Sequence, residues 1–494
     1  MSYIGKQLND LPGKVTAVAS GTLADGSAVV VNSDGTVSVV VESGMGSDVV
    51  FETGATTAIS AVFQANTNQV IIFYRDQGNS SYGTAIAGSV NASDNSIAFG
   101  TAHVFATHAI TYSGSAFDTN SNRAVVAYNN ASSSVQARVG HISSGTNFTF
   151  GTATQLSSNS GSYFKAVFDS TNNRVVLFWL DDSTNYGKAV VGNITASNNS
   201  IALGSVVQFS AGQMDWRGAG DTGTTFDTNA GKIVISYKDR NQSPERGVVN
   251  VGTVTASNNS IAFGSPVVID SSHVAEYFSC LFIPTINKVV FSFTSTSDSA
   301  KGKAVVGTVN GTSMDFGTIA VWGDTDPDNY NSVLTFNSDT NIITLFNQSG
   351  ASDSSISIKG GEINVSGTNL TFGTRSVFRN FIGAEISTVF DSNSNRGVLV
   401  TQNTDSNKGT AIVFQNTNVA NLTTENYIGI SDGVYASGAD ATIQVKGSVD
   451  DAQSSLTPGQ SYFVQTDGTL GTTAGNPSVF AGTAVASTKL IVKG

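Results

Sequence analysis

Short apolar stretches alternate with polar turns along most of the chain, and the alternation repeats. One apolar stretch ends in Phe, a turn of the form Asp-x-x-x-Asn follows, and a second apolar stretch comes next, as in "FDSTNNRVVLFW" from Phe168. Asp and Asn side chains accept hydrogen bonds from nearby backbone N–H groups, so the pattern predicts a tight turn between two strands. Seven copies, spaced 51 to 58 residues apart, begin at Phe63, Phe117, Phe168, Phe226, Phe282, Phe336 and Phe390.

A second pattern accompanies the first six copies. It reads "ITASNNSIALGS" at 194–205 and "VTASNNSIAFGS" at 254–265, and shorter forms such as "NFTFG" and "SMDFG" stand at the same place in other copies. We interpret it as a turn followed by a strand, and so as part of the scaffold. The glycines that end the short forms are Gly100, Gly151, Gly204, Gly264, Gly317 and Gly373.

Together the two patterns predict four strands in each repeat. In the third copy they cover 163–168, 174–179, 187–195 and 201–209. Seven antiparallel four-stranded units are typical of a seven-bladed β-propeller, and the fold class predicted is all-β. A β-solenoid fits less well because its coils are shorter, and a string of small sandwiches fits less well because about 54 residues are few for an independent sandwich.

The seventh copy has no companion strand after it, whereas the stretch 35–54 resembles the end of a repeat without its beginning. We therefore expect an N-terminal strand near 48–52 to complete the seventh blade and close the ring. The predicted domains are an N-terminal attachment segment at 1–27, the propeller at 28–420, and a small C-terminal β domain for docking or assembly at 421–494.

The loops between second and third strands, and those between repeats, differ in every copy, while the other turns are nearly constant. Function tends to lie in variable loops on a rigid scaffold, so ligands are expected at the variable face. An aromatic ring beside carboxylates suits a sugar, because the ring stacks on its apolar face and the carboxylates accept from its hydroxyls. For Trp216 and Trp322 the alternative is that they fill gaps between blades. The candidate glycan contacts are Asp215, Trp216, Arg217, Trp322, Asp324, Asp326, Asp328 and Tyr330.

Charge and cysteine content argue against nucleic-acid binding and against a fold held by disulfides. Lys and Arg number 24 against 36 Asp and Glu, which gives a net charge of −12 and no basic stripe for nucleic acid. Cys280 is the single cysteine, so no intrachain disulfide can form, and its apolar surroundings predict a core position. The N-terminus lacks the apolar core of a signal peptide, and no run is long enough to span a membrane.

The catalytic and metal-binding motifs are weak. "GAGDTG" at 218–223 and "GISDG" at 429–433 match short nucleotide-binding and serine-hydrolase patterns, but both need a following helix, and β-type sequence follows instead. The four histidines lie in no metal-ligand spacing, and a hairpin turn explains Asp-x-Asn-x-Asn at 118–122 without calcium. We predict no catalytic residue, no metal site and no cofactor, hence not an enzyme.

The C-terminal stretch resembles a known group of proteins. "ATIQVKG", "LTPGQSYFVQTDGTLGTT" and "PSVFAGTAVASTKLIVKG" resemble the C-terminal domains of tailed-bacteriophage virion proteins, especially those of marine cyanophages. The start "MSYIGK" is similar to the opening of many phage tail and fibre proteins. The resemblance implies a structural virion component of a tail fibre, nozzle or other appendage, often oligomeric, and carries over no catalytic residues.

These observations predict a phage virion protein, tail-fibre or tail-associated, whose propeller is a rigid platform for host attachment or assembly. The expected partners are other virion proteins, further copies of the chain and host-surface polysaccharide, with neither nucleic acid nor membrane insertion. The expected location is the virion, after synthesis in the host cytoplasm. The alternatives are a lectin-like carbohydrate-binding module, a capsid-decorating protein, and a propeller glycosidase or depolymerase, for which carboxylates such as Asp181 and Asp182 are candidates.

Overall fold

The computed structural model describes residues 13–32, 35–40, 42–92, 94–130, 134–216, 223–323, 330–349, 357–373, 376–379, 381, 383–466, 468–475 and 477–493. The regular structure in these ranges is β-strand, and the strands pair antiparallel. The described ranges hold no helix that is long and apolar enough to cross a bilayer. The predicted all-β class with antiparallel sheets is confirmed.

The chain divides into two compact units. The repeat domain is Met45–Thr417, and the terminal domain combines Met1–Gly44 with Asn418–Gly494. This division differs from the predicted boundaries at 27 and 420. The reason lies in strand pairing, because strands from 14–39 share a sheet with strands from the C-terminal part of the chain.

The N-terminal part of the chain contributes four short strands: β1 (Lys14–Val18), β2 (Ala28–Val31), β3 (Val37–Val39) and β4 (Glu42–Met45).

Repeats one to three contain five strands each. Repeat one has β5 (Val49–Gln64), β6 (Gln69–Asp76), β7 (Tyr82–Asn91), β8 (Ser96–Phe99) and β9 (His103–Ala109). Repeat two has β10 (Ser113–Asp118), β11 (Arg123–Asn129), β12 (Val135–Ser144), β13 (Asn147–Phe150) and β14 (Thr154–Ser157). Repeat three has β15 (Gly161–Asp169), β16 (Arg174–Asp181), β17 (Tyr186–Thr195), β18 (Ser200–Leu203) and β19 (Val207–Asp215).

Repeats four to six follow the same plan, and repeat seven supplies three strands. Repeat four has β20 (Thr224–Asp227), β21 (Lys232–Asp239), β22 (Arg246–Thr255), β23 (Ser260–Phe263) and β24 (Val267–Val268). Repeat five has β25 (Ala275–Ile283), β26 (Lys288–Ser295), β27 (Lys301–Asn310), β28 (Ser313–Phe316) and β29 (Ala320–Gly323). Repeat six has β30 (Tyr330–Asn337), β31 (Ile342–Ser349), β32 (Ser357–Ser366), β33 (Asn369–Phe372) and β34 (Ser376–Arg379), and repeat seven has β35 (Gly383–Asp391), β36 (Arg396–Asn403) and β37 (Lys408–Ala420).

The predicted fourth strand is in fact two strands, and both pair with the third. In repeat three, β18 and β19 pair with different parts of β17, with Gly204 between them. The Gly204 N–H donates to the Val191 carbonyl at 2.9 Å. A Cβ on Gly204 would lie 1.8 Å from the Asn259 carbonyl oxygen of repeat four. This position requires glycine because the turn of the next repeat approaches the backbone too closely for a side chain.

The predicted Asp-x-x-x-Asn turns are present and have the expected bonding. The Asp118 carboxylate accepts from the backbone N–H groups of Asn120 and Ser121, at 2.9 and 3.0 Å. Asp391 makes the same two bonds in its own turn. These carboxylates are buried and hold the hairpin between first and second strands.

Consecutive repeats contact one another through their first strands, and the order of contacts returns to its start. Each first strand contacts the next along the chain, from β5 through β10, β15, β20, β25 and β30 to β35, and β35 contacts β5. Apolar side chains fill each contact between neighbouring repeats. Between repeats seven and one this core includes Val398, Val413, Ile72 and Tyr74.

A hydrogen-bonded clamp explains why the turn sequence Ala-Ser-x-Asn recurs. An Arg at the start of a second strand donates through Nε to the turn Asn of the next repeat and through Nη2 to the turn Ala carbonyl. The clamps are Arg123 to Asn199 and Ala196, Arg174 to Asn259 and Ala256, and Arg396 to Asn95 and Ala92. The third clamp runs from repeat seven to repeat one.

The chain near Met45 takes the place of the missing companion strand. The Gly46 N–H donates to the Val413 carbonyl of β37 at 2.8 Å, as the companion glycines of the other repeats do within their own sheets. Beyond it, Val49 and Val50 of β5 pair with Ala411 and Thr410 of β37. This pairing joins the predicted 48–52 segment to repeat seven.

The terminal domain has two five-stranded sheets of its own. It adds β38 (Tyr427–Ser431), β39 (Asp440–Gln444), β40 (Val449–Asp450), β41 (Ser461–Val464), β42 (Leu470–Gly471), β43 (Val479–Ala486) and β44 (Lys489–Val492). One sheet runs β1-β39-β38-β2-β3 and the other β40-β44-β43-β41-β42. Both ends of the chain therefore build this domain.

Candidate functional site

The variable-loop end of each sheet, where the second strand passes into the third, was the expected location of a site. Asp215 is the last residue of β19 and lies 3.6 Å from the Lys238 ammonium. Tyr330 begins β30, but its side chain lies outside the described part of the structure. Four further predicted contacts lie outside the described residues: Arg217, Asp324, Asp326 and Asp328.

Trp216 and Trp322 lie in the core, which corrects the expectation that they stack on a sugar. Trp216 is 3% exposed, and its Nε1–H donates to the Ser236 carbonyl at 2.8 Å. Trp322 is 7% exposed and donates to the Lys303 carbonyl at 2.8 Å. Gly302 gives the Trp322 ring its space, since a Cβ there would lie 2.4 Å from Cζ2. Both indoles belong to apolar cores between neighbouring repeats, which agrees with the alternative that they fill gaps between repeat units.

A β-bulge near the start of the first strand is the feature that sequence reasoning missed. The register shifts between Thr57 and Ser60 in β5, and between Ser162 and Lys165 in β15. We call the fifth residue before the repeat Phe the bulge position. It has a left-handed backbone, with φ from 49° to 55°, at Ala58, Tyr163, Tyr277, Asn331 and Glu385. Such a conformation is costly for most of these residue types and is typical of functional positions.

The bulge positions of neighbouring repeats bring polar and aromatic side chains together at the variable-loop end. Tyr112 is the equivalent residue of repeat two, where the first strand has no bulge, and it contacts Tyr163 with ring centroids 4.7 Å apart. Burial raises the pKa of Tyr112 to about 12, and the nearby Tyr163, Asp182 and Glu385 add to the shift. These residues therefore share one electrostatic environment although they come from repeats two, three and seven.

Glu385 is the most perturbed carboxyl of this group. Burial raises its pKa to about 7. Hydrogen bonds from the backbone of Ile59 and Ala58 and the charge of Arg75 lower the pKa, but their effects are smaller. The Ile59 N–H donates to Glu385 Oε2 at 3.2 Å. A carboxyl with a pKa near neutrality at the end of a scaffold is a candidate for a functional role.

Two charge networks at the same end are satisfied within the protein. The buried Lys238 ammonium lies 2.7 Å from both Glu245 and Glu276. Burial opposes its charge, but these two carboxylates outweigh burial and raise the pKa of Lys238. Lys303 is likewise paired with Asp270 and Asp298, at 3.2 and 3.0 Å. These pairs join neighbouring loops and strands, so they stabilise the variable-loop end.

The described residues give no sign of metal or thiol chemistry. Across that part of the chain, no group of three or more His, Cys, Asp or Glu side chains is placed to hold a metal ion. Cys280 is buried, and burial raises the pKa of its thiol to about 12. The prediction that Cys280 is a core residue is confirmed.

Comparison with known proteins identifies no family. No family model and no curated protein matches the sequence. Among solved structures, the chain is similar to a protein of unknown function from Dyadobacter fermentans DSM 18053, with 11% identity, 82% of this chain and 99% of that one covered, and a TM-score of 0.45. A Lactobacillus plantarum protein has 13% identity, coverage of 64% and 84%, and a TM-score of 0.45. Sqt1 of Saccharomyces cerevisiae has 10% identity, coverage of 75% and 99%, and a TM-score of 0.42. Likeness at this level assigns no function.

Proposed function

We propose that the repeat domain closes into a seven-bladed β-propeller in which each repeat is one blade. The contact between β35 and β5 supports closure, as does the apolar core between repeats seven and one. The clamp from Arg396 to Asn95 is the same device that joins repeats two and three. Blade seven consists of β35, β36 and β37, completed by the chain around Gly46 and the start of β5.

Electron cryomicroscopy of the full chain tests the blade count. Class averages viewed along the ring should have seven spokes and no gap. Averages with another number of spokes, or with an open arc, would overturn the propeller.

The function we propose is that of a non-enzymatic structural component of a tailed-phage particle. The propeller is a rigid platform for attachment to the host surface, and the terminal domain joins it to other virion proteins and to further copies of the chain. The observation that supports this proposal is the pairing of β1 with β39, because it builds a separate domain for docking from strands that precede and follow the repeats. Of the C-terminal segments that resemble virion proteins, "ATIQVKG" contributes β39 of the first sheet, and the other two contribute β41 to β44 of the second sheet.

Immunogold labelling of purified tailed-phage particles tests this function. An antibody raised against the whole protein should label the tail or its appendages. Labelling confined to the capsid would replace this assignment by that of a capsid-decorating protein. Particles without label, from a lysate that contains the protein in free form, would overturn the virion assignment.

The absence of enzymatic activity is tested separately. Incubation with neutral and acidic polysaccharides should leave their chain-length distribution unchanged, as measured by size-exclusion chromatography. Shortened chains would favour the depolymerase alternative instead.

A further inference from the structure

The bulge positions of repeats seven, one and three lie at the variable-loop end together with Tyr112, the equivalent residue of repeat two. The Ile59 N–H donates to Glu385, and the Ser113 hydroxyl donates to the Ala58 carbonyl at 2.6 Å. These bonds hold β35, β5 and β10 side by side. Tyr112 directly precedes β10, and its ring contacts Tyr163 of β15.

The residues of this surface are at least partly exposed and include both aromatic and acidic groups. Tyr112, Tyr163 and Glu385 are partly exposed, and Asp182 is exposed. The Ser160 and Ser162 hydroxyls donate to the Asp182 carboxylate at 2.6 and 2.7 Å and fix its orientation. Asp182 thus offers prepositioned acceptor oxygens beside the tyrosine pair.

The backbone at Tyr163 is in a conformation that costs less for smaller residues. Its φ of 53° lies in the left-handed region, which Gly and Asn adopt at least cost. Repeat six has Asn331 at the equivalent position, with φ of 49°. A tyrosine with a left-handed backbone loses about 1–2 kcal/mol of local stability relative to such residues. One part of the ring packs against the apolar core between repeats three and four, and the residue remains partly exposed.

We propose that this surface, consisting of Tyr112, Tyr163, Asp182 and Glu385, is a carbohydrate-binding site. Tyrosine rings present apolar faces for the C–H groups of a pyranose and hydroxyls for its polar edge. Carboxylate oxygens accept hydrogen bonds from sugar hydroxyls. The site does not depend on the virion assignment.

Charge selects a neutral sugar chain over an acidic one. Asp182 and Glu385 lie on the site, and the chain as a whole carries a net charge of −12. The Arg75 charge acts on Glu385 and partly offsets it. Lys238 and Lys303 of repeats four and five are buried and paired with carboxylates. A uronic or sulfated polysaccharide would be repelled by the carboxylates of the site and by the net charge of the chain, whereas a neutral hexose polymer would not.

A pair of matched variants tests the site. Tyr163→Asn removes one ring while keeping a residue suited to the left-handed backbone, and Tyr277→Asn makes the same change at the bulge position of repeat five, outside the proposed surface. Binding to dextran and to mannan, with alginate as the acidic comparison, is measured by affinity electrophoresis of the full-length protein. Unfolding midpoints of both variants are measured alongside.

We expect the wild-type protein to bind at least one of the two neutral polymers and not alginate. Tyr163→Asn should weaken this binding about tenfold, which corresponds to about 1.4 kcal/mol, while Tyr277→Asn leaves it within about twofold. Retention of neither neutral polymer, binding to alginate alone, or equal weakening by the two variants would overturn the proposal. Immunogold labelling of particles does not depend on these outcomes. The virion assignment and the carbohydrate-binding site can therefore be refuted independently of each other.

Discussion

Arg396 and Asn95 are separated by 301 positions in the sequence, and the Arg396 guanidinium donates a hydrogen bond to the Asn95 side chain. A second bond, 2.7 Å long, runs from the same guanidinium to the Ala92 carbonyl. Arg123 and Arg174 make the same pair of bonds to the repeat that follows each of them. Arg396 belongs to the last repeat, and its bonds go to the first repeat.

Removing the guanidinium of Arg396 should weaken the contact between repeats seven and one. Hydrogen bonds from a charged donor contribute about 1.5–3 kcal/mol, so Arg396→Ala should lower the midpoint of thermal unfolding by several degrees. Arg396→Lys should also be less stable, because an ammonium cannot reproduce the fork of the guanidinium. Differential scanning calorimetry measures both variants.

Arg123→Ala is the matched control at a contact between sequence neighbours. If it destabilised the protein and Arg396→Ala did not, repeats seven and one would not meet in solution, and the closed ring would be refuted.

A side chain at Gly46 should prevent normal assembly of the same contact. A Cβ there would lie 1.7 Å from the Asn95 carbonyl oxygen, a distance that only a backbone shift can relieve. Gly373 is the equivalent residue of repeat six, and its Cβ would have its nearest neighbour at 3.7 Å. We expect Gly46→Ala to lower soluble yield and unfolding midpoint sharply, and Gly373→Ala to behave like the wild type. Equal behaviour of the two variants would contradict the close approach.

The turn residue before each second strand should tolerate Gly better than Ala. Asn341 has φ of 59°, and the equivalent residue of repeat four is Gly231 with φ of 64°. Since a left-handed Ala costs about 1–2 kcal/mol and Gly costs little, Asn341→Ala should be less stable than Asn341→Gly. Urea unfolding followed by tryptophan fluorescence compares them. An Asn341→Ala variant as stable as Asn341→Gly would show that the turn takes another conformation.

Glu385 should make stability depend on pH between about 4.5 and 7. Its pKa is raised from 4.5 to about 7 in the folded protein, so in this range the folded state binds more protons than the unfolded state. Stability should therefore fall as pH rises through this window. Glu385→Gln removes this contribution, so its stability should fall less with rising pH than that of the wild type. The unfolding midpoint of the variant minus that of the wild type should therefore increase from pH 4 to pH 8. A difference that is flat across this range would mean that Glu385 titrates normally.

Lys238 should be needed mainly because Glu276 is buried beside it. Lys238→Met removes the ammonium 2.7 Å from that buried carboxylate, and breaking a buried pair in this way typically costs about 3–5 kcal/mol. The double variant Lys238→Met/Glu276→Gln should recover most of the loss, because it also removes the buried negative charge. Thermal unfolding of the two single variants and the double variant gives the interaction free energy between Lys238 and Glu276. If the losses of stability in the two single variants simply added up in the double variant, Lys238 and Glu276 would not interact directly.

Much of the scaffold could be predicted from the sequence because its signals are local. The spacing of Phe63, Phe117 and the later copies reports a strand and its turn, and hydrogen bonds within a few residues determine both. Cys280 was predicted as a core residue from its apolar neighbours alone. The association of 48–52 with repeat seven was also predicted. Repeat seven lacks its last strand, and the stretch 35–54 resembles the last part of a repeat without the first part.

The candidate site was beyond sequence reasoning because its members meet only through contacts between the first strands of different repeats. Tyr112, Tyr163 and Glu385 come from three repeats, and no local pattern distinguishes them from other polar residues near a strand start. The bulges at Tyr163 and Glu385 depend on pairing with a second strand. The burial of Trp216 and Trp322 likewise depends on packing between strands, such as the contact of Trp322 with Gly302. Local hydrogen bonding thus determined the repeat, whereas long-range packing decided which side chains are buried and which are presented for binding.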